Sequence, residues 1–141
     1  MKLRHTILCA AMAATAALCC STEARAEDKS LETIVAEANA VCPVKVDQGS
    51  SLDAVKLTAD AVEIHLAMGI PAAQFPMIEQ NMNMMRPTML KMLSGNTDMR
   101  EIFRMASQAN LGLRIVILCS DDRNTNFALA YSAQELADAI K

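Results

Sequence analysis

The chain has 141 residues and a net charge of −3, from 13 basic and 16 acidic side chains, with three phenylalanines, one tyrosine and no tryptophan. An acidic balance speaks against nucleic acid or an anionic membrane as partner, because both attract a basic surface. Four glycines in the whole chain leave little material for a phosphate-cradling loop, and no nucleophile elbow or His-Glu metalloprotease motif is present.

Residues 1–5 form a basic head, residues 6–20 an apolar and small-residue stretch, and residues 21–26 a polar tail closing on Ala24-Arg25-Ala26. This is the layout of an export signal, with the small-x-small pattern that signal peptidase cuts. The expectation is a signal peptide cleaved after Ala26, then one domain over residues 27–141, periplasmic or secreted. No transmembrane span is expected, because no later apolar run approaches the length of about 18 residues that a spanning helix needs. Leu18 before Cys19, and Cys19 before Cys20, are not the small residues a lipoprotein signal places ahead of its cysteine, so lipidation is disfavoured. Cleavage removes Lys2, Arg4, Glu23 and Arg25, taking the net charge from −3 to −5. It leaves Cys42 and Cys119 as the only cysteines and His65 as the only histidine.

Behind Ser30, a plausible N-cap, Leu31, Ile34, Val35, Ala38 and Val41 recur at helical steps until Cys42-Pro43 stops the pattern. Residues 44–51 read as a loop punctuated by Gly49-Ser50-Ser51. From residue 53 to 68 the period drops to two. Val55 and Leu57 share one face of a first strand; Val62, Ile64, Leu66 and Met68 share one face of a second, with Ala59-Asp60 at the turn. After Gly69-Ile70-Pro71 a long helical region begins, with Pro76 in its first turn and a kink or break expected at Pro87 before it ends at Ser94-Gly95. A further helix starts behind Thr97 or Asp98, with Glu101 placed for a capping-box variant and Met99, Ile102, Phe103 and Ala106 inward. Residues 113–119 and 126–131 read as strands around a polar turn. Ser132-Ala133-Gln134-Glu135 is a capping box opening a last helix with Leu136, Ala137 and Ile140 inward. The order α-ββ-αα-ββ-α predicts an α+β fold, a four-stranded antiparallel sheet with helices on one face.

The spacing Asn39-x-x-x-Pro43-x-x-Val46-Asp47-x-x-x-x-Leu52-Asp53-x-Val55 resembles a family of small exported bacterial domains of unknown function. The resemblance covers most of the domain, through a signal peptide, a helix leading into the motif, a hairpin, a helical middle and a closing hairpin. It implies export and this element order, and it brings no catalytic or binding residues. Where the family shows paired tyrosines, this chain has Ile64-His65-Leu66. Read physically, the motif is a loop in which Pro43 blocks helix continuation and Asp47 can bond nearby backbone N–H groups.

Several constellations compete for function. Beyond the signal, nine methionines lie between Met68 and Met105, and thioethers are soft ligands that select Cu(I). Met77, Met82, Met84 and Met85 are the candidate cluster for a periplasmic copper-binding or oxidation-buffering protein. On a helical wheel, however, Ile78, Met82, Met85, Met89, Met92 and Leu93 fall within about 100° of one another, the width of a core-facing stripe, leaving Met77 and Met84 off it. Core or interface packing is therefore the preferred reading, with methionine replacing scarce aromatics. Cys42 and Cys119 permit a single bridge in an exported protein; two buried free thiols are the alternative. One histidine cannot build a His-rich zinc site, and a Cys42–His65 nucleophile pair has no support in the spacing. Asp121-Asp122-Arg123-Asn124-Thr125-Asn126 offers oxygen ligands but lacks the glycine and distal glutamate of a calcium loop, and such clusters also make hairpin turns. No cofactor is expected.

One positive lead remains. Leu113, Ile115, Ile117 and Cys119 alternate with Arg114, Val116 and Leu118, so this strand is apolar on both faces. With Ala128, Ala130 and His65 on the side away from the helices, the pattern suggests a contact surface for an unknown protein partner or a second copy. The alternative is that the last helix covers that face. The expectation is a non-enzymatic exported protein acting by protein contact.

Overall fold

The computed structural model describes residues 30–47 and 49–141. The expected signal peptide and the Cys19 and Cys20 pair lie outside the described residues.

The first helix, α1 (Leu31–Ala40), is capped by the Ser30 side chain, which accepts from Thr33 N–H, and buries Leu31, Val35 and Ala38. Four residues then form β1 (Val44–Asp47), antiparallel to β2 (Ser50–Leu57). The expected loop over residues 44–51 is therefore β1, a turn residue at Gly49 and the start of β2. The alternation in Val44-Lys45-Val46 is too short to stand out as a period, and pairing with β2 decides it.

β2 continues antiparallel into β3 (Ala61–Met68) through a turn in which the Thr58 hydroxyl accepts from Ala61 N–H at 3.1 Å. A bulge between Leu52 and Ala54 shifts the phase by one, so Leu52 and Val55, not residues two apart, both face the core, at 0% and 1% exposure.

A short 3-10 turn (Ala72–Gln74) leads into α2 (Phe75–Met84), α3 (Arg86–Ser94) and α4 (Thr97–Gln108). The break falls at Met85, with Pro87 in the first turn of α3, where its missing N–H costs nothing. The N-cap of α4 is Asn96, whose side chain accepts from Asp98 and Met99 N–H. The expected capping role of Thr97 or Asp98 is thus taken by Asn96 ahead of both, and Glu101 pairs with Arg104 instead. Then follow β4 (Gly112–Cys119), β5 (Asn126–Tyr131) and α5 (Ala133–Ala139), the last opened by the expected capping box of Ser132 and Glu135.

The fold is α+β, but the sheet has five strands in the order β1-β2-β3-β4-β5, and β4 lies parallel to β3. The four-stranded antiparallel expectation is corrected on both counts. The break at Met85 makes three helices of the block between β3 and β4, and the block returns the chain to the starting end of β3, with Gly112 opposite Ala61. A parallel pair needs such a crossover, whereas a hairpin turn cannot make one.

One core joins the inward faces of β2 to β5 to the helices: Val62, Ile64, Leu66, Leu113, Ile115, Ile117, Leu129 and Tyr131 meet Ile78, Met82, Met89, Met99, Phe103 and Leu136. Each such fully buried side chain contributes about 1.5–3 kcal/mol. α1 and α5 both pack on α4, so the helices share one side of the sheet. The last helix does not cover the other face.

Candidate functional site

Strand alternation places three rows of side chains on the outer face of the sheet. The first crosses Lys56, Glu63, Arg114 and Ala130; the second Ala54, His65, Val116 and Ala128; the third Ser51, Ala67, Leu118 and Asn126. The site residues read from the sequence, Arg114, Val116, Leu118, Ala128, Ala130 and His65, therefore lie on one surface. Ala128 and Ala130 are exposed, and Val116 and Leu118 are half-buried.

Two ion-pair systems bracket this surface. At one end Arg114 bonds Glu63 across the parallel β3–β4 ladder and reaches Asp60 at 3.3 Å. The other Glu63 oxygen meets His65 Nε2 at 3.0 Å. The His65 contact and the Arg114 guanidinium hold the Glu63 carboxyl below its ordinary value. Asp60 is lowered too, first by the Thr58 hydroxyl and then by Arg114. At the other end Arg123, in the β4–β5 turn, reaches across β3 to Asp53 at the β2 bulge, where the Ser51 hydroxyl donates to Asp53 at 2.9 Å. The middle row between them carries the small and apolar side chains of Ala54, Val116 and Ala128 around His65. The paired charges of Glu63, Arg114, Asp53 and Arg123 frame it, and Lys56 is exposed at the end of the first row, so the surface offers small and apolar contact within a polar rim, the usual anatomy of a protein interface.

Two grooves lie beyond the middle row, the first of them sharing Arg114 and Ala130 with the first row. One, of about 450 Å³, sits at the sheet end against Asp60, Asn110, Arg114, Tyr131, Ser132 and Glu135. Its charged groups are engaged: Arg114 with Glu63 and Asp60, and Glu135 with Arg86 and the Ser132 N–H. The other, of about 320 Å³, runs between α3 and α5 along Leu90, Lys91 and Asp138.

Cys42 and Cys119 are free thiols. Of the two alternatives left open by the sequence, the bridge is not formed, and topology explains why. β1 and β4 run in the same direction with β2 and β3 between them, and Val44, Leu52, Leu66 and Ile117 lie at one level. Three strand spacings put Cys42 about 14 Å to the side of Cys119, against a disulfide reach of about 7 Å between Cα atoms. Cys42 also precedes that level while Cys119 follows it. The Cys42 thiol donates to Ala38 O and the Cys119 thiol to Ile70 O, each at 3.2 Å. Burial pushes the Cys42 thiol up, away from the thiolate that nucleophilic chemistry needs.

The methionines do not converge. Met82 and Met89 are buried at 1% and 3%, while Met77 and Met84 are exposed at 54% and 70%. Met85 is half-buried at the break. The thioethers of Met77, Met82, Met84 and Met85 thus divide between core and solvent. Met92, expected inward, is 37% exposed, because the break at Met85 offsets α3 from the wheel of a continuous helix. In the Asp121 to Asn126 segment, Asp122 accepts from Asn124 N–H and the Thr125 hydroxyl, and Asn126 donates to Arg123 O; these are turn bonds. Among the described residues no group of three His, Cys, Asp or Glu side chains gathers to hold a metal ion, and no helix is long and apolar enough to cross a membrane.

Sequence reasoning missed the Arg114–Glu63 ladder, the Arg123–Asp53 strap and an Asn39 bond to Val55 N–H at 3.1 Å. The last lies inside the Asn39 to Val55 motif and fixes α1 to the bulge, with Asn39 as an acceptor. Asp47 falls in β1, and its side chain lies outside the described set.

No protein-family model matches the chain, and no curated protein matches it. Among solved structures, a "putative secreted protein" from Pseudomonas aeruginosa is similar, with a TM-score of 0.59 and 12% identity over 75% of this chain and 88% of that one. A likeness at that identity is one of fold.

Proposed function

We propose that this chain is a non-enzymatic exported protein that works by binding another protein across the outer face of its sheet. Export rests on the signal layout of residues 1–26. The observation that carries the contact reading is the row Ala54, His65, Val116 and Ala128, small and apolar around a single histidine, on a face that no described helix covers. The ion pairs at its two ends hold the surrounding side chains in fixed positions, so binding orders little that was loose. The central position of β4 accounts for its doubly apolar sequence only in part, since central parallel strands are apolar on both faces when helices cover both.

The test is a thiol footprint. Val116→Cys in a Cys42→Ser background reacts with maleimide in dilute purified protein, and the same residue is protected in cells that export the protein natively. Equal reactivity in both settings refutes the contact.

A further inference from the structure

The two edges of the sheet are unlike. β1 has four residues, carries Lys45, follows Pro43, and breaks register with β2 between Lys45 and Asp47. Those are the devices by which edge strands resist pairing. β5 has none of them. Its six residues, Asn126-Phe127-Ala128-Leu129-Ala130-Tyr131, hold no charge and no proline, and its register with β4 is unbroken.

The phase of the ladder shows which backbone groups face outward. Cys119 N–H donates to Thr125 O at 3.0 Å. In an antiparallel pair every second couple is hydrogen-bonded, so Phe127, Leu129 and Tyr131 bond β4. The N–H and C=O of Asn126, Ala128 and Ala130 point off the edge. Arg86 agrees with this phase, since its Nε donates to Ala130 O at 3.1 Å and closes that end of the strand. Ala128 lies at the centre of what remains, exposed and with a methyl for a side chain.

We infer that β5 joins two copies of this chain, pairing antiparallel edge to edge about a two-fold axis beside Ala128. A strand paired antiparallel with its own copy is self-complementary, the requirement of an isologous dimer. Ala128 comes opposite Ala128 of the second copy and exchanges both backbone bonds with it, and Ala130 N–H comes opposite Asn126 C=O while Ala130 O stays with Arg86, so no like charges meet and the small side chains let the backbones close to hydrogen-bonding distance. The sheet then continues from one copy into the next, and the two outer faces become one surface. This goes beyond the contact proposed for the outer face and stands or falls apart from it.

Sedimentation of the purified protein over a concentration series reads the mass, with circular dichroism and thermal melting as controls for folding. The expected result is a dimer in which the Ala128 amide exchanges hydrogen more slowly as concentration rises. Ala128→Lys sets like charges opposite each other and weakens the dimer at least ~10-fold. Ala128→Pro removes an N–H that β4 does not use and gives a monomer. Val116→Glu, on the face, leaves the dimer intact. A monomer at every concentration overturns the inference. A dimer that Val116→Glu dissociates and folded Ala128→Lys does not also overturns it, and assigns self-association to the face.

Discussion

The Arg86 guanidinium holds the Glu135 carboxylate through two hydrogen bonds, of 2.7 and 2.8 Å, and so ties the first turn of α3 to the first turn of α5. Its plane lies over the Tyr131 ring at 4.5 Å, and the Tyr131 hydroxyl donates to Arg86 O at 2.9 Å. Glu135 also accepts from Ser132 N–H, so one carboxylate serves the capping box and the ion pair together.

This arrangement predicts an acid-sensitive clasp. Arg86 first, and then the Ser132 N–H, lower the Glu135 carboxyl from 4.5 to about 2. A group depressed in the folded state stabilises fully above its unfolded value and loses that contribution as pH falls through the folded one. The clasp therefore contributes above about pH 4.5 and fades between there and about pH 2. Because both side chains are about one-third exposed, solvent screens the pair and Glu135→Gln costs ~1 kcal/mol at neutral pH. Denaturant midpoints of the two proteins should differ at pH 7 and converge near pH 2.

Gly112 begins β4 where a Cβ would lie far inside van der Waals contact with Tyr131 O. Backbone cannot yield there as a flexible side chain would. Gly112→Ala should cost about 2–3 kcal/mol, read as a lower denaturant midpoint at unchanged slope.

The bond from Val55 N–H to Asn39 Oδ1 satisfies a donor at a bulge whose own side chain is 1% exposed. Asn39→Ala leaves that donor unpaired and should cost about 1–2 kcal/mol, whereas Asn39→Asp keeps the acceptor and should cost less. Equal losses in urea unfolding would show that the acceptor is not what matters in the Asn39 to Val55 motif.

Much of the fold was legible because local rules and packing agreed. Ser30 and Ser132 cap where a side-chain oxygen precedes an apolar period, and the phase of β3 and β4 follows a clean alternation. Pairing between distant strands was not legible. Nothing local to residues 112–119 distinguishes a strand parallel to β3 from one antiparallel to it, and the direction follows from how three helices return the chain. For the same reason the outer-face residues were found one by one, while the Arg114–Glu63 ladder, which needs β3 and β4 side by side in register, was missed. The choice between a Cys42–Cys119 bridge and two free thiols stayed open for want of the same pairing, since an even count of cysteines carries no information about distance.

The methionines give a contrast that depends on burial alone. Met82→Ala, at 1% exposure, should cost about 2–5 kcal/mol, and Met84→Ala, at 70%, should fall within about 0.5 kcal/mol of the parent. Under mild peroxide, peptide mapping should find sulfoxide at Met77 and Met84 well before Met82 or Met89.

The contact role of the outer face is tested most directly by a photo-crosslinking amino acid at position 116 in the protein exported by its native cells, with the exposed position 79 of α2 as control. The account predicts a discrete protein adduct from position 116 and none from position 79. Uncrosslinked chain alone at both positions would contradict it.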